Sequence, residues 1–157
     1  MTAVDRHFRV RAMTAPDLSS VLMIAESLRT APQWSRAAYL TAIDPAAAVP
    51  RLALVAEASV TGKIAGFAVI GIAPPEAELE TIAVAPSFQR QGVAQLIFNE
   101  ASRQLRSRAI TEVKLEVRHS NDSAVKFYAN AGFEERGRRP HYYFDPIEDA
   151  ILMRMEL

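Results

Sequence analysis

Glu116, Tyr128 and the six residues Gln89-Arg90-Gln91-Gly92-Val93-Ala94 are the parts of this sequence whose types and spacing suit chemistry. The six residues follow a β-rich run and open a helical one. Helix N-termini carry unsatisfied N–H groups and the positive end of the helix dipole, so a phosphate sits there readily. Gly92 lets the backbone approach a ligand closely, Ala94 is small, and Arg90 adds a charge that can pair with an anion. The same residues also suit an ordinary strand-to-helix connection whose glycine eases the turn. Other nucleotide motifs do not fit. Gly62-Lys63 lacks the earlier Gly and the following Ser or Thr of a phosphate loop, and no G-x-G-x-x-G occurs. Glu116 alternates with Val113, Leu115 and Val117 and shares its side of the strand with Glu112, Lys114 and Arg118, so it is either a base or a solvated charge. Tyr128 belongs to a helical stripe with Ala124, Phe127 and Ala131, which suits core packing with a hydroxyl left at the edge.

The elements that must position these residues are readable from periodicity. Residues 7–13 alternate loosely and suit a first strand. Thr14 reads as the N-cap of a helix with Pro16 in its first turn and Asp17 at the third position; Leu18, Val21, Leu22, Ala25 and Leu28 give its apolar face. Ala31-Pro32 ends that helix, and Ser35 caps a short second one reaching Ile43. Residues 52–58 and 64–72 form a hairpin around Gly62. Pro74-Pro75 breaks the chain before a strand at 77–85. A long helix over 92–108 follows, then a strand at 111–118. Asn121 starts a helix over 121–131 closed by Gly132. Strands at 133–138 and 150–156 finish the chain. This order predicts an α/β fold with one mixed sheet and helices on both faces, and residues 1–157 as one domain.

Composition narrows the function. A chain of 157 residues, half of them hydrophobic, can bury a sizeable core without staples. Its 18 basic and 18 acidic residues sum to zero, so neither nucleic acid nor an anionic membrane is expected as a partner. Cysteine is absent, which removes disulfides, thiolate metal sites and a cysteine nucleophile. His7, His119 and His141 are too scattered to suggest a metal site. Met1-Thr2-Ala3-Val4-Asp5 carries an early acid and lacks the apolar core of a secretory signal. No apolar run approaches the ~20 residues that span a bilayer. The expectation is a cytoplasmic protein.

Residues 76–94 resemble the strand-plus-turn motif of the GNAT acetyltransferase superfamily, whose Q/R-x-x-G-x-G/A pattern is met by Gln89, Gly92 and Ala94. Residues 115–124 and 127–133 resemble the next two blocks of that family. Within it, the bacterial ribosomal-protein alanine N-acetyltransferase group is most similar. Pro32-Gln33-Trp34-Ser35 is similar to its Pro-Trp-Ser element with Gln33 inserted, and residues 138–143 and 148–153 resemble its closing Tyr-Tyr and Glu-Asp-Ala segments. The resemblance implies the GNAT fold: a central, mostly antiparallel sheet of about seven strands flanked by about four helices.

It also implies acetyl-coenzyme A as co-substrate, with no metal. Its pyrophosphate would be held by Gln89, Arg90, Gln91, Gly92, Val93, Ala94 and Gln95. The backbone of Ile82, Ala83 and Val84 would pair with its pantetheine arm, and Asn121 would add a contact while capping its helix. Glu116 matches the family's base. Tyr128 matches its acid, and a phenol of pKa ~10 suits a leaving thiolate whose conjugate acid lies near ~8.5. An α-amine of pKa about 8 is already about a quarter neutral at pH ~7.4, so a protein N-terminus asks little of that base. Glu78 and Glu80 could share the cleft, and Trp34, Tyr142, Tyr143, Glu148 and Asp149 are the remaining acceptor-site candidates. The acceptor is expected to be a protein N-terminus, with a small-molecule amine or a non-catalytic coenzyme-binding module as alternatives.

Overall fold

The computed structural model describes residues 6–157, and the Met1–Asp5 stretch considered as a signal lies outside the described residues. Seven strands form one sheet: β1 Phe8–Ala12, β2 Arg51–Ala58, β3 Ile64–Ala73, β4 Glu76–Val84, β5 Glu112–Arg118, β6 Glu134–Tyr143 and β7 Glu148–Glu156. The α-helices that accompany it within the described residues are α1 Leu18–Glu26, α2 Arg36–Ile43, α3 Val93–Ser107 and α4 Asp122–Ala131. The strand order is β1-β2-β3-β4-β5-β7-β6. Every neighbouring pair is antiparallel except β4–β5. The mixed, mostly antiparallel sheet expected from the sequence is present.

Alternating side chains divide the core between the two faces. Leu52 and Leu54 of β2 with Ala68 and Ile70 of β3 meet Ile97, Phe98, Ala101 and Leu105 of α3. Ala53, Val55, Phe67 and Val69 meet Leu18, Val21 and Ile24 of α1 and Tyr39 of α2 on the other side. Helices thus lie on both faces, as expected. Gly66 of β3 sits where a Cβ would come 2.7 Å from the Ala83 carbonyl oxygen and 3.3 Å from Ile97 Cδ1. Its missing side chain is what lets β4 and α3 approach there.

Two irregularities in β4 distort the middle of the sheet. Val69 pairs with Thr81 but Ile70 with Leu79, so Glu80 is an extra residue in a β-bulge. The bulge reverses the alternation: Ala77 and Leu79 face the α3 side, whereas Ala83 faces the α1–α2 side. The second irregularity is the brevity of the β4–β5 ladder. Only Glu76, Ala77 and Glu78 pair with Glu112, Val113 and Lys114. Beyond them the two strands part.

Most element ends match the sequence reading, and the departures have local causes. The turn capped by Thr14 opens as a 3-10 turn, Ala15–Asp17, before α1 begins, and α1 stops at Glu26, short of Leu28. The final hairpin is longer than 133–138 and 150–156 suggest, because β6 runs to Tyr143 and β7 starts at Glu148. Its outer part is charged and solvated and carries a register shift between Arg139 and Tyr143. A hydrophobic alternation is therefore missing where the strand continues.

The start of α1 is tied to β1. Asp17 Oδ2 accepts from the Thr14 backbone N–H at 2.8 Å and the Thr14 hydroxyl at 2.9 Å, and Arg11 donates to both its oxygens at 2.7 and 2.8 Å. Arg11 and Thr14 hold the Asp17 carboxyl below its ordinary range against the opposing effect of burial. A carboxyl depressed in the folded state stabilises it fully above the unfolded pKa of about 3.9 and loses that contribution as pH falls through the folded value. Asp17→Asn should therefore lower the unfolding midpoint at neutral pH. It should also flatten the loss of stability on acidification, read by chemical denaturation at a series of pH values.

Candidate active site

The parting of β4 and β5 opens a cleft of about 1060 Å³ through the sheet. One wall is residues 79–84 of β4; the other is Glu116, Val117 and Arg118 of β5. The start of α3, one side of α4, the 28–33 segment after α1, and Tyr143 complete it. Past Glu78 the β5-facing edge of β4 has no strand partner among the described residues, and along Ile82–Val84 the backbone groups of Ile82 and Val84 face that edge while those of Ala83 face β3.

Two helices begin at this cleft, and their first turns differ. Asn121 caps α4, its Oδ1 accepting from the Ala124 backbone N–H at 3.3 Å. The cap residue of α3 is Gly92, in the left-handed region at φ 80°, and it has no side chain to accept from that helix. The opening N–H groups of α3, at Val93, Ala94 and Gln95, consequently remain for a ligand, and no acidic residue occupies its first turn. Arg90 is also left-handed at φ 62°. Gln89 pins the turn by donating Nε2–H to the Val84 carbonyl at 3.2 Å. Gln91 faces away, donating to the Ser87 carbonyl, and does not line the cleft.

Glu116 stands between the main cleft and a smaller cavity of about 340 Å³ that it lines with Glu78, Arg139 and Tyr142. Its Oε1 lies 3.4 Å from the Arg139 guanidinium. The Tyr142 phenol is pushed up chiefly by the Glu116 carboxylate beside it. Tyr128 is partly buried on α4, with its ring 5.6 Å from that of Phe133. Burial, assisted by nearby Tyr143, pushes its phenol up to about 12. The hydroxyl therefore stays protonated throughout the neutral range and is a donor there.

The remaining candidates divide between the cleft and its supports. Glu80 lines the cleft but accepts from Arg51 at 2.7 Å. Tyr143 lines it under the Arg118 guanidinium, 4.3 Å from the ring centroid. Glu148 accepts from Arg118 at 3.1 Å and from the Ser120 backbone N–H at 3.0 Å, joining β7 to the loop before α4. Asp149 accepts from the His141 backbone N–H at 3.0 Å. Trp34 does not reach the cleft; its ring packs 5.3 Å from Tyr39. Among the described residues no cluster of His, Asp and Glu is placed to hold a metal. No helix there is long and apolar enough to cross a membrane.

Sequence reasoning passed over Arg118, Phe127, Ser123 and residues 28–31, all of which line the cleft. Arg118 had a readable signal, since it shares a strand face with Glu116. Residues 28–31 had none, because their approach depends on how α1 packs across the sheet, whereas Pro32 and Gln33 belong to the Pro-Gln-Trp-Ser stretch already singled out. Together the cleft offers uncapped N–H donors for an anion, an open strand edge for an extended chain, and a carboxyl group and a protonated phenol in the same lining. That set can bind a phosphorylated, elongated donor and move protons around a bond being made and broken.

Gly92→Val should abolish binding of coenzyme A at the turn. A β-branched residue is strained at a φ of 80°, and its methyls would crowd the N–H donors. Calorimetry on the folded variant is the check, and wild-type affinity would remove the anion site from α3.

Residues 20–133 match the Acetyltransferase (GNAT) family. Ribosomal protein bS18-alanine N-acetyltransferase of Escherichia coli (strain K12) is 39% identical over 98 residues, covering 61% of this chain and 66% of that enzyme, just under two thirds of its length. A Bacillus subtilis (strain 168) protein bearing the same activity in its provisional name is 31% identical over 146 residues, covering 92% of each chain. The crystal structure of the Escherichia coli ribosomal-protein-S18-alanine N-acetyltransferase superposes with a TM-score of 0.82 at 30% identity, covering 95% of this chain and 93% of that one. With its mixed seven-stranded sheet, its parted central strands and a family match over most of its length, this chain belongs to the GNAT acetyltransferase family.

Proposed function

We propose that residues 1–157 form one acetyltransferase domain that moves acetyl from acetyl-coenzyme A to the α-amine of a protein N-terminus, a ribosomal protein being the acceptor class its relatives' names suggest. The observation that carries the reading is Glu116, lining both the donor cleft and the smaller cavity. Such an acceptor places the reaction in the cytoplasm.

The residues present fit the donor. Uncapped N–H groups of Val93, Ala94 and Gln95, reinforced by the dipole of α3, suit a pyrophosphate. The unpaired edge at Ile82 and Val84 suits the amide groups of a pantetheine arm, which would add to β4 as a short strand. When bound, the coenzyme supplies a thioester carbonyl open to attack by an amine. Glu116 would take the proton of the incoming ammonium directly or through one water. An α-amine needs little help here because its pKa is about 8. Tyr128 would donate its phenolic proton toward the departing sulfur, with a pKa that burial keeps far above neutrality. Tyr142 and Glu78 line the smaller, acceptor-side cavity with Glu116, and Tyr143 lines the donor cleft.

Thiol release from acetyl-coenzyme A should be fastest with peptides beginning Ala-Arg and slow with polyamines, free amino acids and aminoglycosides. The reverse preference would make the enzyme a small-molecule transferase, and tight coenzyme binding without turnover on any amine would make it a binding module. Tyr128→Phe should lower kcat by about 10²-fold or more while leaving coenzyme affinity close to wild type, the size expected for loss of a positioned acid. Unchanged turnover would remove the acid role.

A further inference from the structure

Arg139 is an unexplained cation at the acceptor side of Glu116. It stands on β6, two strands away from β5, and reaches across β7 to do so. The register places Arg139 opposite Ala150 and Ala150 opposite Arg118, whereas Glu116 lies opposite Leu152. Arg139 and Glu116 therefore share the sheet face turned away from α3, and small Ala150 lets the long side chain pass over β7. Among the described residues no helix covers this part of that face, since α1 and α2 pack against β2, β3 and β4.

The contact has the features of an exchangeable pair. Its N–O distance is 3.4 Å, and the arginine side chain is 56% exposed while the glutamate is 20% exposed. The guanidinium also lies over the Tyr142 ring, 5.5 Å from its centroid, so it has a second resting place on the aromatic face. The neighbouring cations are differently engaged: Lys114 and Arg154 each pair with Glu76, and Arg154 also pairs with Glu112. Arg118 pairs with Glu148.

We propose that Arg139 is a positioning residue that occupies the place of the acceptor's ammonium beside Glu116, and that the acceptor's free amine displaces it. The inference rests on the acetyl-transfer reading, which makes this the acceptor side. Before binding, the pair keeps the carboxylate aligned and neutralises it. An arriving ammonium takes over Glu116 as the guanidinium turns back onto Tyr142. An acceptor without a free amine gives Glu116 no replacement cation and does not displace Arg139.

Equilibrium binding of two peptides to the enzyme–coenzyme A complex tests this, one with a free N-terminal alanine followed by arginine, the other with the same sequence N-acetylated. Arg139→Gln removes the competitor and should tighten the free-amine peptide by about two- to five-fold, the range set by an exposed ion pair. It should leave the acetylated peptide unchanged, and Arg139→Lys should restore wild-type affinity. In a Glu116→Gln background the Arg139→Gln effect should vanish. Equal tightening of both peptides, no change with either, or no measurable peptide binding by any of these proteins would overturn the proposal. The acetyl-transfer reading is judged separately by thiol release from the wild-type enzyme.

Discussion

Everything at the site depends on two parallel strands that pair for three residues and then part. Had β4 and β5 stayed in register beyond Glu78 and Lys114, the backbone groups of residues 79–84 would be satisfied within the sheet and no cleft would exist. Separation exposes a strand edge in the middle of a sheet, where unpaired N–H and C=O groups are costly. An extended ligand with its own amide groups can offset that cost. The parted strands create both the opening and the demand for what fills it.

The helices on either side make the opening directional. α3 starts at a glycine with no side-chain cap, and α4 starts at an asparagine that caps it. Equivalent helix ends would compete for one anion, but here α3 keeps more free donors. The bulge at Glu80 completes the arrangement by reversing β4, so Ile82 and Val84 pack on the α3 side while Ala83 turns toward α1 and α2. Glu80 lies across Gly71 and is held by Arg51. Glu116, whose strand has no bulge, keeps its regular alternation and stands at the boundary between two cavities.

Local features of this design were legible in the sequence. The Gly92 turn, the Asn121 cap and the two faces of β5 each depend on neighbours within a few positions, and all three are present. The bulge was hidden because burial along residues 76–84 alternates straight through it. The parting of β4 from β5 is a property of two segments some thirty residues apart, and neither segment records it. Trp34 shows the same limit from the other side. An aromatic next to a helix cap can face a ligand or the core, and only the position of Tyr39 decides between them. The outer hairpin escaped because charged, solvated strand residues carry no hydrophobic period.

The most direct test is to map backbone amide chemical shifts on adding coenzyme A to the isotope-labelled protein. The largest changes should fall at Gly92, Val93, Ala94 and Gln95 and at Ile82 and Val84, with weaker ones near Asn121. Changes confined to other surfaces, or none at saturating coenzyme, would contradict a donor site built from the uncapped start of α3 and the open edge of β4.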